Sequence, residues 1–317
     1  MKQNRREFIT TMAAAGAAIP FAKMDLPGIA GTPEKRFPVR LFSKPIDEYD
    51  FGFMCECLNR SGIEGFDLTV RPGGKVIPEK VEDDLPRLVG EAKKYNLSID
   101  MMVTSILSPD DQFTERILKT ASSVGVTHYR LGWAEYDPEK GIMGTLEGYK
   151  FAMMGIAGLN KKYNIKGGYQ NHAGARIGGP VWDLYELLKD LPSEYIGCQY
   201  DVRHAMVEGT NAWVLGLRLL APLINSLAIK DFTWQIVKGK PAPVTVPLGE
   251  GMVNWELFFR TIKELDLSAP MTLHVEYPLF SKAEESHSPG RKQEIIVSKL
   301  KKDMDFLNGY LTKYGLT

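Results

Sequence analysis

The chain has little cysteine: Cys55, Cys57 and Cys198 among 317 residues. Three thiols with no C-x-x-C pair give neither a disulfide framework nor a zinc-ribbon or dithiol redox motif. Cys55 and Cys57, two residues apart, point to different sides of a helix and are poor partners; all three read as small buried apolar groups. Long apolar runs are absent too, and nothing approaches the ~18 consecutive apolar residues of a membrane-spanning helix. There is no excess of either charge, with Lys+Arg 39 against Asp+Glu 39. A neutral balance excludes the basic coat of a nucleic-acid-binding domain and an acidic solvating tail. Hydrophobic residues at 44% and charged residues at 25% fit a globular chain rather than a disordered one. A chain of this length can bury a large core without disulfides.

The first 22 residues read as an address. Lys2, Arg5 and Arg6 precede a weakly apolar, alanine-rich run that ends near Pro20 and Ala22. A basic start, a short apolar run and small residues in that order match an export signal. The Arg5-Arg6 pair matches the twin-arginine form, which predicts a periplasmic or otherwise exported protein without a stable membrane anchor. Removing residues 1–22 takes away Lys2, Arg5, Arg6 and Glu7, leaving 36 positive and 38 negative side chains, a net charge of −2. Residues 23–36 read as a linker and 37–317 as a single domain.

From residue 38, short apolar runs alternate with amphipathic stretches. The runs are 39–43, 65–70, 98–106, 128–133, 167–172, 196–201, 226–232 and 271–277. Each is short and bounded by turn-forming residues, as buried parallel strands are. Helical periodicity marks 47–60, 81–95, 182–189, 213–220, 255–265 and 293–313. Eight strand–helix units in one domain predict an α/β fold, a (β/α)8 TIM barrel. A doubly wound open sheet would need a glycine-rich turn after its first strand, and Phe42-Ser43-Lys44-Pro45 has none. The segments 71–74 and 238–251 read as loop insertions on the face where barrel active sites lie.

Polar residues recur at the predicted strand ends: Asp67, Thr69 and Arg71; His128, Arg130 and Glu135; Gln170 and His172; Asp201, Arg203 and His204; Lys230; His274 and Glu276. Buried ionisable groups are costly unless paired or used. Four of the five histidines (His128, His172, His204, His274), two carboxylates and several cations therefore predict a small-molecule site on one face.

The segments Tyr169-Gln-Asn-His172, Tyr200-Asp-Val-Arg-His204, Ala228-Ile-Lys-Asp231 and Leu273-His-Val-Glu-Tyr-Pro278 resemble the sugar isomerase/epimerase group of xylose isomerase-like barrels. The resemblance runs along nearly the whole chain after residue 35. It implies a sugar or keto-sugar substrate and a divalent metal (Mn, Co, Zn or Mg). That metal would be held by a Glu on strand five, an Asp on strand six, a His on strand seven and a Glu on strand eight. Asp201 and Glu276 match two of those positions, and His204 matches the group's Asp-x-x-His pattern. Gln170 stands where the strand-five glutamate is expected, and Ala228 where the strand-seven histidine is expected. Gln170, Asp201 and Glu276 remain the candidate metal ligands, completed by a histidine among His172, His204 and His274.

In the group, the glutamates of strands five and eight move a proton beside a carbonyl. Glutamine cannot ionise, so Gln170 cannot be the second base. The proton would then pass to Glu276 or to a histidine, His172 or His204. Lys230 or Arg71 could polarise the carbonyl and stabilise the enolate, although Lys230 could equally pair with Asp231 or another nearby carboxylate. Arg130 is a further substrate-binding candidate. Trp133 and Trp234 could form an apolar wall under a sugar ring, or simply pack. His274, one pleat deeper than Glu276, would orient it.

Three readings follow. The first is a sugar isomerase or epimerase, with a one-base keto-sugar lyase or hydratase as its neighbour. The second is a metal-dependent phosphodiester nuclease, disfavoured by Ala228 and the mature charge of −2. The third is a non-catalytic sugar-binding barrel.

Overall fold

The computed structural model describes residues 37–317; the expected export signal and linker, 1–36, lie outside the described residues. In chain order the elements are β1 (Val39–Phe42), α1 (Phe51–Ser61), β2 (Gly65–Thr69), α2 (Val81–Lys94), β3 (Ser98–Val103), α3 (Thr114–Ser123), β4 (His128–Arg130), α4 (Gly141–Tyr163), β5 (Lys166–Gln170), α5 (Val181–Leu188), β6 (Ile196–Asp201), α6 (Val202–Gly209), α7 (Trp213–Leu220), β7 (Ile224–Ile229), β8 (Asp231–Val237), β9 (Lys240–Val246), α8 (Trp255–Glu264), β10 (Met271–Leu273) and α9 (Pro289–Tyr314).

Eight parallel strands close a barrel in the order β1-β10-β7-β6-β5-β4-β3-β2. Closure runs through β1 and β10, with Val39, Arg40 and Leu41 opposite Met271, Thr272 and Leu273. Every residue of β1, β2 and β6 is buried, as strands covered on both faces must be. The structure is the expected (β/α)8 barrel. Cys55, Cys57 and Cys198 are unpaired and lie in the core; burial pushes the Cys55 and Cys57 thiols up to about 12, so they stay protonated and inert. No helix among the described residues is long and apolar enough to cross a membrane.

Local chemistry starts and stops the helices. Asp50 caps α1 by accepting from the Phe53 amide, and Gly62 ends it at φ 78°. Asn254 caps α8 through the Leu257 amide. Asp201 ends β6 and caps α6, its Oδ1 accepting from the His204 amide at 3.0 Å. One carboxylate thus joins the barrel wall to the helix that carries His204.

The strands end earlier than their apolar runs. The run 226–232 breaks at Lys230, which lies between β7 and β8. The expected loop 238–251 contains half of an antiparallel hairpin, in which β8 pairs with β9 from Asp231↔Val246 to Val237↔Lys240. Its turn uses Lys238 at φ 50° and Gly239 at φ 76°, the left-handed pair that suits a two-residue hairpin. Asp231 anchors the hairpin's return. Its carboxylate accepts from the amides of Phe232, Gly249, Gly251 and Val253 and from the Trp255 indole. A Cβ on Gly251 would meet Asp231 Oδ1 at 2.0 Å, so only glycine fits there. α3, α4 and α6 were not marked by periodicity; α4 is interrupted by five glycines.

Candidate active site

The β-strand C-termini bring together Arg130, Gln170, Asp201, Lys230, His274 and Glu276, with His172, Arg203 and His204 on the loops and helix that follow. Lys230 is the hub. Its side chain is 3% exposed, and its Nζ lies 3.1 Å from Asp201 Oδ2 and 2.8 Å from Glu276 Oε2. The carboxylates that pair with Lys230 are therefore Asp201 and Glu276, while Asp231 is committed to the backbone of the following loop. Gln170 Nε2 donates to the same Asp201 oxygen at 2.8 Å, and Gln170 Oε1 accepts from Arg130 Nη1 at 3.1 Å. That chain fixes the amide's orientation: a guanidinium must face the oxygen, and a carboxylate must face the NH2 group.

Burial would raise the Glu276 carboxyl, but Lys230, His274 and Lys44 outweigh it and hold the group down to about 2. Glu276 is therefore a permanent anion and a weak base while the ammonium sits on it.

His204 and His172 have different tautomers. His204 Nδ1 faces Arg203 Nη1 at 2.9 Å. Arginine only donates, so Nδ1 accepts and Nε2 carries the hydrogen. That Nε2 is buried without a hydrogen-bond partner, 3.8 Å from Asp201 Oδ2. His172 Nδ1 faces the Ala173 carbonyl at 2.9 Å. A carbonyl only accepts, so Nδ1 carries the hydrogen and Nε2 keeps its lone pair. The ring centroids lie 3.9 Å apart with the planes tilted by 34°. Burial and the nearby Lys230 ammonium keep both imidazoles neutral, His204 well below its ordinary value and His172 below it.

His274 stacks on Phe42 at 4.5 Å. Its Nδ1 is 3.9 Å from Glu276 Oε2, and neither ring nitrogen has a hydrogen-bond partner. It therefore approaches the glutamate without the hydrogen bond that an orienting role needs. His128 departs from the expected convergence. It starts β4, at the barrel's opposite end, with Nδ1 2.9 Å from Thr127 Oγ1. Three histidines, not four, share the site face.

Arg71, Arg130 and Trp133 line a cavity of about 440 Å3 together with Lys44, Asp47 and Thr104. The Arg130 guanidinium stacks over the Trp133 ring at 4.2 Å, and the Trp133 indole N–H has no partner. Both residues line the cavity, with the indole N–H itself buried. Trp234 lies on β8, 45% exposed and edge-on to Phe232 at 6.2 Å. The hairpin carries it out of the barrel wall, so it is not placed beside Trp133. Arg203 ties the hairpin to the site through Nη2, which donates to the Pro243 carbonyl at 3.0 Å.

Lys44 is the residue that sequence reading overlooked. It stands 4.0 Å from Glu276 Oε1 and lines the cavity. Its signal was its position two residues past the end of the first strand.

The profile of the xylose isomerase-like TIM barrel family matches residues 56–296. The chain belongs to that family. No curated protein sequence matches it. Among solved structures it is similar to the IOLI protein, solved with a zinc atom bound, at TM-score 0.67 and 13% identity over 88% of this chain and 99% of that one. It is similar to D-psicose 3-epimerase from Clostridium cellulolyticum H10, solved with D-tagatose, at TM-score 0.65 and 10% identity over 87% and 99%. It is also similar to the probable 3-DHS dehydratase AsbF from Bacillus anthracis, at TM-score 0.61 and 16% identity over 84% and 98%. At these identities the likeness establishes the fold alone.

A divalent ion would have to be held by Asp201, Glu276 and Gln170 with one histidine, for which His172 offers a free Nε2 lone pair while His204 Nδ1 faces Arg203. The first two already share an ammonium, and the only ligating atom of Gln170 faces a guanidinium. Ala228, fully buried, offers no donor. No group of three or more His, Cys, Asp or Glu side chains among the described residues is arranged to hold a metal. The donor set does not fit a divalent ion as it stands.

Proposed function

We propose that the protein is a sugar-active enzyme of the isomerase/epimerase type, which removes a proton α to the carbonyl of a keto-sugar. The observation that carries this reading is the pairing of a neutral imidazole, His172 with its Nε2 lone pair free, and a buried ammonium, Lys230, in one strand-end cluster. The C–H electron pair moves into the carbonyl as the α-proton passes to His172 Nε2, and the resulting enolate oxygen takes a hydrogen bond from Lys230. Two of the ammonium's three N–H donors face Asp201 and Glu276, which leaves one for substrate. Trp133 and Arg130 offer an apolar face and unpaired N–H groups for ring and hydroxyls. The sugar epimerases among the structural neighbours favour the same class. Metal assistance would require these side chains to exchange their present partners, so no step is routed through a metal.

One observation favours a single-base lyase or hydratase within this reading. Gln170, held between Arg130 and Asp201, cannot ionise, so the second carboxylate of a two-base epimerase is missing. The imidazolium formed at His172 can instead hand its proton to a departing β-substituent, which returns the base to its neutral form. Incubation with a panel of keto-sugars in deuterated water tests both. Deuterium at the α-carbon is expected, with loss of a β-substituent if the lyase form holds. No exchange on any member of the panel, with and without added metal, would overturn the reading.

We also propose that residues 1–22 direct export through the twin-arginine route and that 23–36 link the signal to the barrel.

A further inference from the structure

We propose that the Lys230 ammonium is the resident cation of this site and replaces the divalent metal that the resemblance implies at Asp201 and Glu276. The argument starts from the carboxylates. Both oxygens of Asp201 face donors: Oδ2 the Lys230 ammonium and the Gln170 amide, Oδ1 the His204 backbone. Glu276 Oε2 faces the same ammonium at 2.8 Å. Oxygen ligands bind a divalent ion at about 2.0–2.6 Å, so an ion between these groups would lie in van der Waals overlap with Lys230.

Gln170 cannot rescue the site by turning over. Presenting its oxygen to an ion would aim its NH2 group at the Arg130 guanidinium, donor against donor. The strand-seven position, Ala228, has no ligand atom.

Charge leads to the same answer. Arg130 and Arg203 are also buried here, at 3% and 8% exposure, each with an unpartnered Nε. With Lys230 they exceed the two carboxylates, Asp201 and Glu276; the third buried carboxyl beside Arg130, Asp67, is pushed by burial toward its neutral form. A further doubly charged ion would have to be taken out of water into a site with a positive excess, which is strongly unfavourable. An ammonium supplies one charge, directional donors and a transferable proton, none of which requires an open coordination position.

This inference is read from the site's own charges and does not rest on the proposed reaction, so metal content and deuterium exchange fail independently. The full-length chain, produced in medium supplemented with Mn, Co, Zn and Mg and purified without chelator, is analysed for bound metal by mass spectrometry. Its thermal unfolding midpoint is then measured with each ion at millimolar concentration against sodium at matched ionic strength. The wild type is expected to carry far less than one ion per chain and to show no midpoint shift. Lys230→Met uncovers Asp201 and Glu276. It is expected to unfold at lower temperature and to regain stability with Mn or Zn but not with sodium. Lys230→Arg retains a cation and is expected to ignore the ions, which keeps the test alive if the methionine variant does not fold. One ion per chain in the wild type would overturn the proposal. So would a metal-induced rise in its midpoint, a folded Lys230→Met protein indifferent to every ion, or a Lys230→Arg protein stabilised by one.

Discussion

Asp67 offers a measurement that isolates one buried charge beneath the site. Its side chain is wholly buried on β2; Thr272 Oγ1 donates to Oδ2 at 2.8 Å, and Oδ1 has no partner. Burial pushes its carboxyl up to about 7, against the opposing pull of Thr272 and Arg130. A carboxyl moved from about 3.9 to about 7 destabilises the fold by about 4 kcal/mol once ionised. The folded state holds the proton that the unfolded chain has already released, so stability falls as pH rises between those two values. The slope is about 1.4 kcal/mol per pH unit, levelling off above about pH 7. Asp67→Asn removes this dependence and keeps the shape. Any fixed cost of the amide and every other titrating group cancel when variant and wild type are compared at two pH values. Between about pH 5 and pH 8 the variant is expected to gain about 3 kcal/mol on the wild type, seen as a relative rise in unfolding midpoint of roughly 5–10 °C. Urea unfolding at both pH values would check the size. A difference between the two proteins that stays constant across that range would refute the reasoning, because it would mean that Asp67 is ionised throughout.

His172→Gln removes the lone pair proposed as the base, and solvent exchange into substrate is expected to slow by about 10²–10⁴-fold with little change in KM. Because burial lowers the His172 value, the wild-type rate should climb with pH through an acid limb lying below about pH 6.5 and stay flat above it, and the variant should lose that limb. Asp231→Ala frees four backbone amides and the Trp255 indole, which at about 1–3 kcal/mol for each buried donor left unpaired is a large loss; limited proteolysis should then cut first between residues 238 and 253. Replacing Arg5 and Arg6 together by lysine is expected to hold the protein in the cytoplasm on fractionation, with the barrel's unfolding midpoint unchanged.

The barrel was readable because its signal is repeated eight times. Each strand is a short apolar run with a turn beside it, and losing one boundary does not lose the pattern. The failures have local causes. α4 spans a regular 23 residues, yet five glycines interrupt its apolar stripe. The β8–β9 hairpin hides because Pro241 and Pro243 argue against a strand, although an edge ribbon tolerates proline at alternate positions. The break at Lys230 is not announced by a glycine or proline, since residues 226–232 contain neither. It comes from the Asp231 carboxylate, which gathers amides up to 22 residues away, a contact that no local pattern announces.

The site shows the same division between what residue types reveal and what only partners decide. Strand-end position found Gln170, Asp201, Lys230 and Glu276, and it also drew in His128, because a three-residue strand has its start and end almost together. Roles were not legible. Glu276 and the histidines were equal candidates for the base, since a side chain's basicity depends on what already faces it. Lys230 holds Glu276 as an anion near its lowest basicity. Arg203 turns His204 into a donor, and the Ala173 carbonyl turns His172 into an acceptor. Of the two imidazoles, only His172 keeps an uncommitted lone pair, and its ring lies against the ring that carries the complementary hydrogen. If either ring were protonated, the neighbouring ring, its centroid 3.9 Å away, would oppose a second charge. The pair can therefore hold one proton at a time, which suits a single base that takes a proton from one carbon and gives it back to a neighbouring atom within one turnover.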